Sequence, residues 1–159
     1  MELIEIARQV GGTLERKGIL VATAESCTGG WIGEALTAIP GSSNWFERGF
    51  ITYSNLAKRE MLGVNPDILK QYGAVSLEVA REMALGALRH SHAQVSLAVT
   101  GIAGPGGGSM EKPVGTVCFA WALKDGKLET SRRQFIGDRE AVRRQSVVTA
   151  LAGVLDLLA

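Results

Sequence analysis

The chain has 159 residues and a mass of 16.9 kDa, with 46% hydrophobic residues and a mean hydropathy of +0.13, which suits one compact domain with a sizeable core. Seventeen Lys+Arg against 16 Asp+Glu leave a formal net charge of +1, without the basic excess that a nucleic-acid binder carries. Glu2, Glu5 and Arg8 interrupt the N-terminal stretch, no run approaches the ~18 apolar residues of a membrane span, and Cys27 and Cys118 form no C-x-x-C; these features argue against secretion, membrane insertion and a zinc or disulfide framework, and fit the cytoplasm.

Leu3, Ala7, Val10 and Leu14 recur at helical spacing and predict a helix that stops before Gly18. Ile19 to Ala24 is short and almost wholly apolar. It runs into Ser26-Cys27-Thr28-Gly29-Gly30, so a buried strand is expected to turn directly into a helix, which Ile32, Ala35, Leu36 and Ile39 continue as far as Pro40-Gly41. Gly49 to Tyr53 reads as a second strand, and Ser54 or Asn55 caps a short helix closed near Gly63. Asn65-Pro66 and Gly73 bracket another short helix. Ser76 with Glu78 opens a third, whose Ala80, Met83, Ala84, Ala87 and Leu88 make a narrow face that ends near His90. Ala93 to Thr100 is a β-branched apolar strand that leads through TGIAGPGGGS to a strand at Val114 to Leu123, and Asp125-Gly126 turns that strand into Lys127 to Ile136. Asp138 caps a last helix with Val147, Val148, Leu151, Val154, Leu155 and Leu158 facing inward.

The order αβαβαααβββα carries no repeat or linker, so residues 1–159 are expected to form one α/β domain, a three-layer α/β/α sandwich with a mixed sheet. Ligands of such sheets sit beyond the carboxyl ends of the strands, which places AESCTGG, YSNLAK and TGIAGPGGG along one rim.

Ser26 stands where a buried strand meets a Gly-Gly helix start, a position that exposes its hydroxyl beside unpaired N–H groups able to cradle an oxyanion; the plain alternative is that Ser26 or Thr28 only caps the helix. Cys27 is a rival nucleophile, better read as a packing residue because no histidine lies near it in sequence. Lys58 falls in a helical first turn if Asn55 is the cap. There the macrodipole eases deprotonation, so Lys58 can act as a base for a serine, although taken alone it reads as a surface cation. Tyr53 can relay a proton, orient that amine or simply pack. The glycine-rich loop suits close approach to a phosphate or nucleotide sugar, yet it matches neither dinucleotide nor Walker fingerprint and is equally a strand connection. Arg139 offers a guanidinium to a phosphate or pairs on the surface. His90 and His92 read as structural, and no ligand set for a metal is present in the sequence.

Taken together, AESCTGG, YSNLAKREMLGV, AVTGIAGPGGGSMEKPVGTV and GDRE make the chain similar, from about residue 3 to the last helix, to the C-terminal domain of CinA proteins and the stand-alone nicotinamide mononucleotide amidohydrolases of the PncC type. The resemblance implies metal-free and cofactor-free hydrolysis of nicotinamide mononucleotide to nicotinate mononucleotide and ammonia. It implies a nucleophile at Ser26, a lysine base at Lys58 and a site tyrosine at Tyr53, and the chemistry of attack by Ser26 then asks for oxyanion donors in the backbone of Cys27 and Thr28. The expected substrate-binding set is Gly29, Gly30, Asn55, Thr100, Gly101, Gly104, Gly106, Gly107 and Arg139, acting on a small-molecule nucleotide in a homodimer, with no nucleic-acid or membrane partner. Two alternatives stay open: a nucleotide-binding regulatory module with little catalysis, and a serine amidase for another small amide.

Overall fold

A computed structural model describes residues 2–159. In chain order the elements are α1 (Leu3–Lys17), β1 (Val21–Glu25), α2 (Trp31–Thr37), a 3-10 turn (Ser42–Asn44), β2 (Phe46–Ile51), α3 (Asn55–Leu62), α4 (Pro66–Tyr72), α5 (Leu77–Arg89), β3 (Val95–Gly101), β4 (Thr116–Leu123), β5 (Leu128–Gln134) and α6 (Arg139–Leu158). The five strands form one open sheet in the order β2-β1-β3-β4-β5. β1 pairs in parallel with both β2 and β3, and β4 and β5 add antiparallel, so the sheet is mixed as expected.

The central strands carry apolar residues on both faces because each face is covered. Val95, Leu97 and Val99 of β3 and Val117, Phe119 and Trp121 of β4 point into one core, shared with Val10 and Leu14 of α1, Leu36 of α2 and Leu151 of α6. The alternate residues are small: Ala22, Ala24, Ala98, Ala120 and Ala122 form a low surface on which Ala80, Met83, Ala84 and Ala87 of α5 pack. This face lets helices approach closely. At Gly86 a methyl group would collide with the Leu62 carbonyl, so a glycine is what allows α5 to lie against the end of α3.

Capping residues act where the sequence places them: Asn65, Ser76 and Asp138 each accept a hydrogen bond from the amide two or three residues on. Ser54 rather than Asn55 caps α3, its Oγ accepting from Ala57 N at 3.0 Å. β2 starts at Phe46, earlier than Gly49, and ends before Thr52, because its parallel register with β1 runs from Val21↔Phe46 to Glu25↔Ile51. α2 stops at Thr37, two residues short of Ile39. On α6, Val147, Leu151, Val154 and Leu158 are buried, while Val148 and Leu155 are half-buried. The carboxyl ends of the three parallel strands share one rim, where Ser26, Thr52-Tyr53 and Ile102 leave the sheet.

Candidate active site

Ser26 extends β1 by one residue: its N donates to Val99 O at 3.1 Å, and its own carbonyl accepts from Gly29 N, closing a tight turn. Lys58 is 1% exposed, and its Nζ lies 3.2 Å from Ser26 Oγ, 3.0 Å from Thr52 O and 3.2 Å from Tyr53 O. The chain achieves this by starting α3 directly after β2, so that Lys58, the fourth residue after the Ser54 cap, reaches back over the two carbonyls it has just passed. Burial pushes the Lys58 ammonium below the usual lysine range. Three acceptors match the three hydrogens of an ammonium. After loss of one proton, two hydrogens remain for the carbonyls and the lone pair faces Ser26.

Tyr53 meets this pair through its backbone. Its side chain is 61% exposed, and the phenol oxygen accepts from Arg139 Nη2 at 3.2 Å. Arg139 also donates from Nη1 to Gly104 O at 2.8 Å, and so bridges the strand end that carries Tyr53 to the glycine-rich loop.

The turn after Ser26 is held from two sides. Arg143 of α6 donates from Nε to Cys27 O and from Nη2 to Thr28 O, both at 3.1 Å, with its guanidinium over the Trp31 ring at 5.4 Å. Glu25 takes Thr28 Oγ1 and the amides of Gly30, Ile32 and Gly33. The Gly30, Ile32 and Gly33 amides at the start of α2 are therefore not free for a ligand. Among the described residues the Cys27 and Thr28 amides have no acceptor. In a trans peptide the N–H points opposite the C=O. Arg143, by drawing the Cys27 carbonyl toward α6, turns the Thr28 N–H the other way.

These groups meet in a cavity of about 280 Å³ that holds Ser26, Lys58, Asn55, Thr100 and Arg139 together with Gly101, Gly104, Gly106 and Gly107 of the loop. Gly104 and Gly107 have positive φ of 85° and 90°, and at Gly104 a side chain would strike Val114. The loop is fastened: Lys112 Nζ donates to Tyr72 O at 2.6 Å, at the end of α4. Thr100 Oγ1 donates to Ala74 O at 2.9 Å, which brings Ala74 and Val75 in as an apolar wall. Cys27 lines the same cavity, whereas Thr28, Gly29 and Gly30 lie in an adjoining groove of about 620 Å³ with Trp31 and Arg143, and Arg139 borders both spaces. Sequence reasoning missed Glu25 and the roles of Arg143, Ala74 and Val75; the carboxylate directly before Ser26 was the one available signal.

His90 closes α5, with Nδ1 2.9 Å from Gly86 O, and His92 N donates to Glu47; both precede β3 and so lie at the opposite end of the sheet. Among the described residues no three His, Cys, Asp or Glu side chains gather as a metal site would need, and no helix is long and apolar enough to cross a membrane.

The chain is 57% identical over 153 residues to a nicotinamide-nucleotide amidohydrolase PncC of Enterobacter agglomerans, covering 96% of this chain and 93% of that one. It is 55% identical over 150 residues to the protein of that name from Escherichia coli K12, covering 94% and 91%. A crystal structure of competence/damage inducible protein CihA from Agrobacterium tumefaciens superposes with a TM-score of 0.97 at 47% identity, covering 99% of this chain and 96% of that one. The family model for the CinA C-terminal domain matches residues 3–158, and the chain belongs to that family.

Proposed function

We propose that the chain is a nicotinamide-nucleotide amidohydrolase that converts nicotinamide mononucleotide and water to nicotinate mononucleotide and ammonia, with Ser26 as nucleophile and Lys58 as base. The observation that carries this reading is the buried Lys58 amine, its acidity raised by burial, 3.2 Å from the Ser26 hydroxyl at the floor of a cavity. The relatives that share the chain over nearly its whole length and bear the amidohydrolase name support the substrate.

In the first half-reaction neutral Lys58 takes the hydroxyl proton as Ser26 Oγ bonds to the carboxamide carbon, and the oxygen that gains charge lies against the Cys27 and Thr28 amides. Collapse breaks the C–N bond, and the Lys58 ammonium returns its proton to the departing nitrogen, leaving an acyl-serine and ammonia. In the second half, Lys58 deprotonates water, which attacks the ester, and Ser26 leaves with the proton back on its oxygen. The Thr52 and Tyr53 carbonyls hold the amine in place through both protonation states. The pyridinium charge of the substrate makes its carbonyl more electrophilic. Arg139 spends two of its five N–H donors on Gly104 and Tyr53, and the others, with the loop amides, serve the phosphate.

Residues 1–159 act as one domain, without metal or cofactor, in a cytoplasmic homodimer. A chelator should leave turnover unchanged, and light scattering should give twice the chain mass. The deciding experiment is ammonia release from nicotinamide mononucleotide: Ser26→Ala should abolish it, while Cys27→Ala, which keeps the backbone amide, should retain most of it. The reverse result would move the nucleophile to Cys27.

A further inference from the structure

Glu25 takes no part in these proton transfers, yet its carboxylate is 2% exposed and surrounded by donors. Oε1 accepts from Thr28 Oγ1 at 2.5 Å, Gly30 N at 3.2 Å and Ile32 N at 3.0 Å, and Oε2 accepts from Gly33 N at 3.0 Å. Every partner donates, which matches oxygens that only accept. Among the described residues no cationic side chain pairs with it, and the compensating charge comes from the amino end of α2.

Two consequences follow for the neighbouring serine. The amides that a helix start ordinarily offers to a bound anion are occupied by the protein itself, so of the amides in this turn only those of Cys27 and Thr28 remain without an acceptor. Thr28 is also tied at both ends of its residue, by its hydroxyl to Glu25 and by its carbonyl to Arg143 and Trp31 N, so its amide has no freedom to swing.

We infer that Glu25 is a positioning residue that locks the Ser26–Thr28 turn, aiming the Cys27 and Thr28 amides at the reacting carbonyl oxygen and withholding those of α2 from it. This rests on Ser26 being the nucleophile. The same carboxylate bears on the thiol beside it. A cysteine at a helix start is ordinarily activated, whereas burial, reinforced by the charge of Glu25, pushes the Cys27 thiol up to about 12.

The test uses the intact chain with Glu25→Gln, which preserves shape but must turn an NH2 toward one of the four donors. With the melting temperature confirming a folded protein, kcat for nicotinamide mononucleotide should fall roughly thirtyfold or more, as a misaimed site does, while KM stays within about threefold. The acidic limb of the pH profile should not move, and Cys27 should be alkylated faster by iodoacetamide. Thr28→Val, which removes one donor and leaves the carboxylate, should lower kcat in the same direction by about fivefold, and it decides the matter if the glutamine variant does not fold. A folded Glu25→Gln with kcat within threefold of the parent, a loss confined to KM, or a vanished acidic limb overturns the inference, as does an unchanged Thr28→Val. Activity surviving in Ser26→Ala would sink the nucleophile reading instead. An inactive Ser26→Ala beside a fully active Glu25→Gln would sink only the role given to Glu25.

Discussion

Replacing Lys58 tests both the chemistry and its energetic cost. Lys58→Arg keeps a cation but supplies no neutral base, and its larger planar fork has to fit among three acceptors now spaced about 3 Å around one nitrogen. Lys58→Met fills the space and removes the amine. Removal of a positioned general base costs on the order of a hundredfold to ten-thousandfold in rate, so both variants should lose at least about a hundredfold in kcat/KM. The acidic limb that the parent shows as Lys58 gains its proton should be absent in both. Stability gives an independent readout. The folded state holds Lys58 below its unfolded pKa, so between the two values the unfolded chain binds more protons, and the slope of stability against pH is positive there. The penalty for burying the amine is therefore absent above the unfolded pKa and grows as pH falls toward the folded one. Urea unfolding of the parent should show stability rising from neutral toward alkaline pH relative to Lys58→Met. The methionine variant gives up bonds to two carbonyls, each worth about 1 kcal/mol net, but it escapes the charge penalty. An active arginine variant with its acidic limb intact would refute the base assignment and leave Lys58 as a ligand for the substrate phosphate.

Arg143→Met should lower kcat by about tenfold or more with little change in KM, because it frees the Cys27 and Thr28 carbonyls; Arg139→Met should act mainly on KM, and steady-state kinetics of the pair would expose an interchange of these roles. Nicotinamide riboside should be a far poorer substrate than the mononucleotide, since the fastened loop and Arg139 exceed what a bare ring needs; comparable kcat/KM for the two would show the loop to be only a connection. Gly86→Ala should destabilise by roughly 2 kcal/mol and lower Tm by about 4–8 °C in calorimetry, because the new methyl meets a backbone carbonyl rather than a pliable side chain. An unchanged Tm would mean that α3 and α5 are not pressed together.

Elements bounded by local chemistry were readable before the fold was known: Asn65, Ser76 and Asp138 mark helix starts through bonds two or three residues long, and Gly18 and Gly63 mark ends through their left-handed conformations. The start of β2 was not readable, because Phe46-Glu47-Arg48 on an edge strand carries no clean alternation and its limits come from pairing with β1. The motifs indicated Ser26 and Lys58 as candidates but not how completely the lysine is buried. A first-turn dipole and partial burial were the reasons available from sequence, and burial is the one the structure bears out, against the pull of two carbonyls that favour the ammonium. Glu25 and the role of Arg143 escaped notice because most of their partners are main-chain atoms, which leave no residue-type signature, and the carbonyls that Arg143 holds lie 115 and 116 residues away.

Much of the polar equipment around Ser26 is main chain: the amides of Cys27 and Thr28 and the carbonyls of Thr52 and Tyr53. Only proline deletes a main-chain N–H and no substitution deletes a carbonyl, so positions 27 and 52 can otherwise drift in side chain while the same dipoles stay in place. Insertions and deletions have the opposite effect. Losing one residue between Ser54 and Lys58 would turn the lysine by about 100° around α3 and carry its amine off both carbonyls. Relatives that keep this site should therefore vary in the letters of these segments far more readily than in the count of residues from strand end to lysine.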